Sequence, residues 1–193
     1  MSTLQESRSP SGPGPEWFFA GLASSFPDLG RDPEDEMNLA QLRPCSGGQR
    51  PGCKVFYAPE GDSTRTEVAV RQEAPERAVA GDDLKDQVLV FQYKGKFHAV
   101  DHRCPHASFP LSQGLPFDIE DFGIVLSAGL TCPKHGWSFD LFRGIADRGR
   151  YELGVWEVQL RDLDGAETPA SVGEGLARAD AEKEVWVRRK QRK

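Results

Sequence analysis

Short apolar runs separated by turn residues dominate the chain beyond residue 50. Val55-Phe56-Tyr57, the stretch 66–70 and Val88-Leu89-Val90-Phe91 each read as a strand, because β-branched and aromatic residues cluster between Gly, Pro, Asp and Ser. Tyr93-Lys94-Gly95-Lys96-Phe97 reads as a tight hairpin turn, followed by a strand over 97–100. Ile124-Val125-Leu126 is a further apolar strand, Trp137, Phe139 and Leu141 alternate with polar neighbours, and strands are expected at 151–153, 156–160 and 185–187. No long helical period competes with this pattern. The expectation is an all-β fold of antiparallel sheets.

The flanking segments differ in character. Residues 1–15 are rich in Ser, Pro and Gly, the composition of a disordered start. Trp17-Phe18-Phe19-Ala20-Gly21-Leu22, followed by Phe26-Pro27, is too apolar to leave in water and too short to cross a bilayer. Packing against the β domain is the simplest outcome; docking to a partner or to a membrane interface are the alternatives. The expected organisation is an N-terminal extension over 1–52 with its packed segment at 17–29 and an acidic linker at 32–36. A β domain follows over 53–187, interrupted by an inserted surface loop at 162–183 with a short helix near 176–182, and a basic tail covers 188–193.

Charge and cysteine content narrow the setting. The formal charge is −6, and setting aside the five cations of residues 188–193 leaves −11 for the rest. An acidic body is repelled by nucleic acid and steered toward a basic docking face. No apolar run approaches the 18 or so residues of a membrane span, and the first residues show neither a signal peptide's apolar stretch nor a transit peptide's basic amphipathic pattern. Cytoplasmic residence is the expectation. Cys45 and Cys53, in a Pro/Gly-rich loop, are then expected as inert thiols rather than a disulfide.

The chemistry concentrates in two runs, Cys104-Pro105-His106 and Cys132-Pro133-Lys134-His135-Gly136-Trp137. Each places a soft thiolate and a borderline imidazole two or three residues apart, so one loop can reach two metal atoms and the other can mirror it. Two irons bridged by two sulfides suit that mixed pairing, with the cysteines on one iron and the histidines on the other. A single tetrahedral zinc is the alternative, although structural zinc knuckles more often carry paired cysteines. His102 and His98 precede the first run; His102 could approach the site without ligating, and His98 reads as an exposed or half-buried strand residue.

Cys104-Pro105-His106 with Leu111 and Gly114, then Cys132-Pro133-Lys134-His135-Gly136-Trp137-Ser138-Phe139-Asp140 with Gly144, resembles the two-box signature of Rieske-type 2Fe-2S proteins. The resemblance implies the Rieske iron-sulfur fold, one 2Fe-2S cluster per chain, and ligation by Cys104, His106, Cys132 and His135. The residues around the cluster would be Phe109, Lys134, Gly136, Trp137 and Phe139. Phe109 and Lys134 stand where respiratory Rieske proteins carry disulfide cysteines, and Trp137 and Phe139 where they carry serine and tyrosine donors to sulfur. The chain is therefore similar to the stand-alone Rieske-type ferredoxins, with a potential expected at the low end of the roughly −150 to +300 mV Rieske range.

What this implies is one-electron transfer between a flavoprotein reductase and an oxidase or oxygenase, with no catalytic activity of the chain's own. A small Rieske subunit of a larger reductase, as in nitrite reductases, and a redox- or iron-sensing binding module are the alternatives. Too few histidines remain for an oxygenase's mononuclear iron, and no G-x-G-x-x-G fingerprint offers a nicotinamide site.

Overall fold

The computed structural model describes residues 17–31, 37–45, 48–58, 67–70, 84–163 and 182–190. In chain order its strands are β1 (Phe18–Leu22), β2 (Asp28–Leu29), β3 (Leu42–Cys45), β4 (Gly48–Pro51), β5 (Cys53–Tyr57), β6 (Glu67–Val68), β7 (Gln87–Tyr93), β8 (Lys96–Asp101), β9 (Leu115–Asp121), β10 (Ile124–Cys132), β11 (Trp137–Asp140), β12 (Trp156–Asp162) and β13 (Lys183–Arg189). Two 3-10 turns, Ala23–Ser25 and Leu111–Gln113, are the only helical segments among the described residues, so the all-β expectation is met.

β7 organises the layers. Its side chains alternate, with Leu89, Phe91 and Tyr93 entering one core and Val88 and Val90 the other. A run that is apolar at every position thus fills both faces of a central sheet. β5 divides in the same way, Cys53 and Val55 against Phe56, and β8 divides Val100 from Ala99. β7 pairs antiparallel with β5 and β8 and in parallel with β2. The β7–β8 turn places Lys94 at φ +47° and Gly95 at φ +77°, the left-handed pair of a type I′ hairpin turn.

On one side of this layer lies the sheet β11-β10-β9, and on the other β1-β13-β12. The apolar N-terminal segment belongs to the second of these: β1 pairs with β13, and Phe18 sits edge-on to Phe56 at 5.7 Å and Trp156 at 6.4 Å. Leu29 and Leu39 are buried in the same core as Val55, so one core runs across residue 52, where the composition suggested a boundary. β13 extends through Arg188 and Arg189, beyond the expected 185–187, because the ladder with β12 continues to the pairs Glu157–Arg188 and Trp156–Arg189, and the Arg188 Nε donates to Glu157 at 2.6 Å. Around 151–153 there is only an isolated bridge, Ile145 to Glu152, in place of the expected strand. The expected disordered start, the acidic linker and most of the inserted loop with its short helix lie outside the described residues.

β9 and β10 form a long hairpin. β11 covers only Gly129 to Cys132 of β10, so the far half projects past the core. Ile124, Val125 and Leu126 are consequently exposed at 65%, 53% and 65%, although their apolar run suggests a buried strand. Phe122, at the turn, is 98% exposed.

His98 also departs from expectation, being only 4% exposed. Its ring lies 5.6 Å from Phe91 and 5.2 Å from Phe142, and its Nε2 has no hydrogen-bond partner. Burial pushes its pKa down from 6.5 to about 4, nearby Lys96 adds to the fall, and Asp140 opposes it.

Two outcomes are expected. Phe91 is fully buried, so Phe91→Ala should cost about 3–5 kcal/mol in chemical denaturation; a loss below about 1 kcal/mol would contradict the double-faced core. Between about pH 6.5 and 4 the unfolded chain protonates His98 while the folded chain does not. Stability present above pH 6.5 is therefore lost as the pH falls toward 4, by on the order of 3 kcal/mol from this residue. Denaturation midpoints of His98→Leu should fall less steeply across that window than those of the parent, and equal slopes would remove His98 as the cause.

Candidate metal centre

Two loops emerge at one end of the central layers. The first follows β8; the second joins β10 to β11, where Cys132 pairs with Trp137 in the ladder. Both loops close by the same device. The carbonyl of Cys104 accepts from the Ser108 N–H at 2.8 Å, and that of Cys132 from the Gly136 N–H at 3.0 Å. In each turn the donor lies four residues on and is left-handed, Ser108 at φ +50° and Gly136 at φ +67°.

These turns aim backbone donors at sulfur. The N–H groups of His106 and Ala107 point at the Cys104 Sγ, and those of Lys134 and His135 at the Cys132 Sγ. The two sulfurs are in hydrogen-bond contact with each other, which pulls the Cys104 thiol pKa down from its usual value, helped by its two N–H donors and opposed by burial. Donation to Cys104 and burial push the Cys132 thiol upward. Neither cysteine is more than 1% exposed.

The imidazoles lie outside the sulfurs. His106 is half-buried and His135 exposed, with ring centroids 5.1 Å apart. Trp137 stacks on His106 at 4.5 Å and 27°, and Tyr151 meets both rings edge-on at 5.2 and 5.0 Å. Arg148 lies over Trp137 with its carbon 5.2 Å from the ring and donates to the Gly136 carbonyl. Tyr151 and Arg148 were not legible from the motifs, since they arrive on a separate loop held along β11 by Asp147 and Ala146. The other residues expected around the site are also close: the Phe109 carbonyl accepts from the Cys104 N–H at 2.9 Å, Lys134 lies 5.5 Å above the Phe109 ring, and Phe139 is fully buried beneath the site. Phe139 offers no hydroxyl.

His102 does not enter the set. Its Nδ1 contacts the Gln87 Oε1 at 2.8 Å and its Nε2 the Ser112 Oγ at 2.9 Å, which ties β8 and the first loop to the core. Cys45 and Cys53 are both free thiols; Cys53 is buried, which raises its pKa, and Cys45 contacts the Ser24 carbonyl at 3.0 Å.

The donors fit a dinuclear group better than a single ion. A mononuclear tetrahedral site would need all four donors around one point. They fall instead into an inner sulfur pair and an outer imidazole pair. The Nδ1 of His106 is buried without a hydrogen-bond partner, a costly state for a polar atom that a metal ion would relieve.

Comparison with known proteins shows what the chain is similar to. A family model for the Rieske [2Fe-2S] domain matches residues 64–152. A 4beta-methylsterol monooxygenase of Methylococcus capsulatus is 41% identical over 76 residues, 39% of this chain and 18% of that protein. A 3-phenylpropionate/cinnamic acid dioxygenase ferredoxin subunit of Photorhabdus laumondii is 33% identical over 41% of this chain and 68% of the subunit. The chain thus spans a minor part of the monooxygenase and about two thirds of the ferredoxin subunit. The crystal structure of a nitrite reductase small subunit from Mycobacterium tuberculosis superposes with a TM-score of 0.43 at 13% identity, covering 90% of this chain and 96% of that one.

Proposed function

Because this chain belongs to the Rieske [2Fe-2S] domain family, we propose that Cys104, Cys132, His106 and His135 hold its 2Fe-2S cluster and that the protein is a ferredoxin-like one-electron carrier. The observation that carries this reading is the mirrored pair of loops, each ending in a Cys and a His and converging sulfur to sulfur and imidazole to imidazole. Bound there, the cluster supplies reversible one-electron redox chemistry, while the protein sets its potential and access.

Each residue has a distinct part. Cys104 and Cys132 are the inner anchors, and the four backbone N–H groups directed at them favour sulfur carrying negative charge. Burial of both cysteines keeps water from the sulfur side. Trp137 and Tyr151 fix the plane of His106, and His135 is the exposed edge through which an electron enters or leaves. No residue needs to exchange a proton with an organic substrate.

The partners belong to the same proposal: a flavoprotein reductase supplies the electron and an oxygenase or oxidase consumes it. Similarity to proteins named as ferredoxin subunits of a dioxygenase and of a methanesulfonate monooxygenase supports a carrier of this type. Among the described residues no helix is long and apolar enough to cross a membrane.

Anaerobically purified protein should contain two irons and two acid-labile sulfides per chain, with a rhombic EPR signal after dithionite reduction. Cys132→Ser should lose more than about nine-tenths of the iron and sulfide; stoichiometric zinc without sulfide in the parent would sink the reading. With Phe139 and Trp137 offering no hydroxyl to sulfur, the midpoint should fall at the negative end of the roughly −150 to +300 mV range. A clearly positive midpoint in a redox titration would show that some other donor compensates.

A further inference from the structure

The charge around the imidazoles is opposite to that of the chain. The surface there is built from residues 103–109, 133–138 and 147–151, which together carry Arg103, Lys134, Arg148 and Arg150 against one carboxylate, Asp147. Asp147 is already engaged, accepting from the Ser138 N–H at 3.2 Å and lying 3.4 Å from Arg148. Arg103 is turned inward onto Ser108, to which its Nε and Nη2 donate at 2.9 and 2.7 Å. Lys134, Arg148 and Arg150 are exposed. Arg148 lies over Trp137, which meets Tyr151 edge-on, Lys134 lies over Phe109, and Arg150 directly precedes Tyr151, which is 41% exposed. Trp, Tyr and Arg around a partly buried centre is the composition of binding hot spots.

We propose that this rim is the docking face for an electron-exchange protein whose own face carries carboxylates around an apolar patch. The proposal rests on the cluster lying between these loops and adds the chemistry of the partner that reaches it. It reverses the orientation suggested by the net charge of −6, under which a basic partner would be steered to the molecule as a whole. Electron transfer is decided at the contact, where screening at physiological salt limits the reach of a charge to about 8 Å. Lys134 directly precedes His135 and Arg148 donates to the carbonyl of Gly136 directly after it, so both stand beside a partner at His135.

The test separates local from net charge by sign. The reduced, cluster-loaded protein would be oxidised by ferricyanide, an anion, and in parallel by hexaammineruthenium(III), a cation. One electron leaves the protein and each oxidant is reduced by one electron, with no proton transferred. If the rim governs contact, the ferricyanide rate should fall by about threefold between low and physiological salt and the ruthenium rate should not fall. Arg150→Glu, at a residue that touches neither sulfur nor imidazole ring, should slow ferricyanide by roughly threefold at low salt while retaining iron, sulfide and the EPR signal.

A second readout needs no electron transfer. Poly-L-glutamate added to the oxidised protein should shift the amide signals of residues 147–151 in NMR spectra. A ferricyanide rate that rises with salt in the parent, or glutamate-induced shifts confined to residues 188–190, would overturn the docking face. An absent EPR signal in the parent would instead mark failure of the cluster assignment itself, before any salt titration is made.

Discussion

Everything in this molecule depends on bringing the sulfur of Cys104 against that of Cys132, two atoms from separate loops, in a place that water does not reach. Each sulfur is a buried polar group and would be costly without partners. The chain meets the cost locally, by curling each loop so that two of its own N–H groups face the sulfur. It meets the positional requirement globally, by stacking the β9–β11 sheet on the layer containing β7 and β8, so that one loop grows from each. Leu89, Phe91, Leu130 and Phe139 pack between those layers, and the two cysteines are members of the same core. The proposed metal site is thus the end of the hydrophobic core rather than an attachment to it.

The parts legible in the sequence were those in which one residue type has one use. The Cys/His runs, the Lys94-Gly95 turn and the doubly apolar run of β7 were of this kind. β9 was not, although Leu115, Phe117 and Ile119 alternate with Pro116, Asp118 and Glu120, because a proline and three acidic residues in seven are poor strand formers and pairing with β10 overrides them. Tyr151 and Arg148 were illegible for a different reason. Their role is set by tertiary proximity to His106 and Trp137, and a tyrosine between Arg150 and Glu152 carries no local sign of that. His98 misled because a single histidine on an alternating strand looks half-exposed, whereas Phe142, far along the chain, closes over it.

Charge shows the same separation between sum and place. The total of −6 is a property of the whole surface and bears on solubility and distant steering. The cations near His135 come from the second loop and from the 147–151 loop, and only the fold brings those segments together. A composition-based argument therefore finds the right charge for the molecule and the wrong one for the surface around His135.

The two loops solve one geometric problem with different residues, and the difference is informative. Both need a left-handed residue four positions after the cysteine. In the second loop that residue is Gly136, which adopts φ > 0 without a Cβ penalty. In the first it is Ser108, for which the conformation costs about 1 kcal/mol. Its hydroxyl is what recovers that cost, because Arg103 clasps it with two hydrogen bonds and so ties the residue before Cys104 to the end of the turn. The second loop gains the equivalent clasp from outside, through Arg148 on the Gly136 carbonyl. Each turn is thus locked by one arginine, which holds the frame around the sulfurs. A one-electron carrier needs that rigidity, because every atom that must move between oxidation states adds to the barrier for transfer.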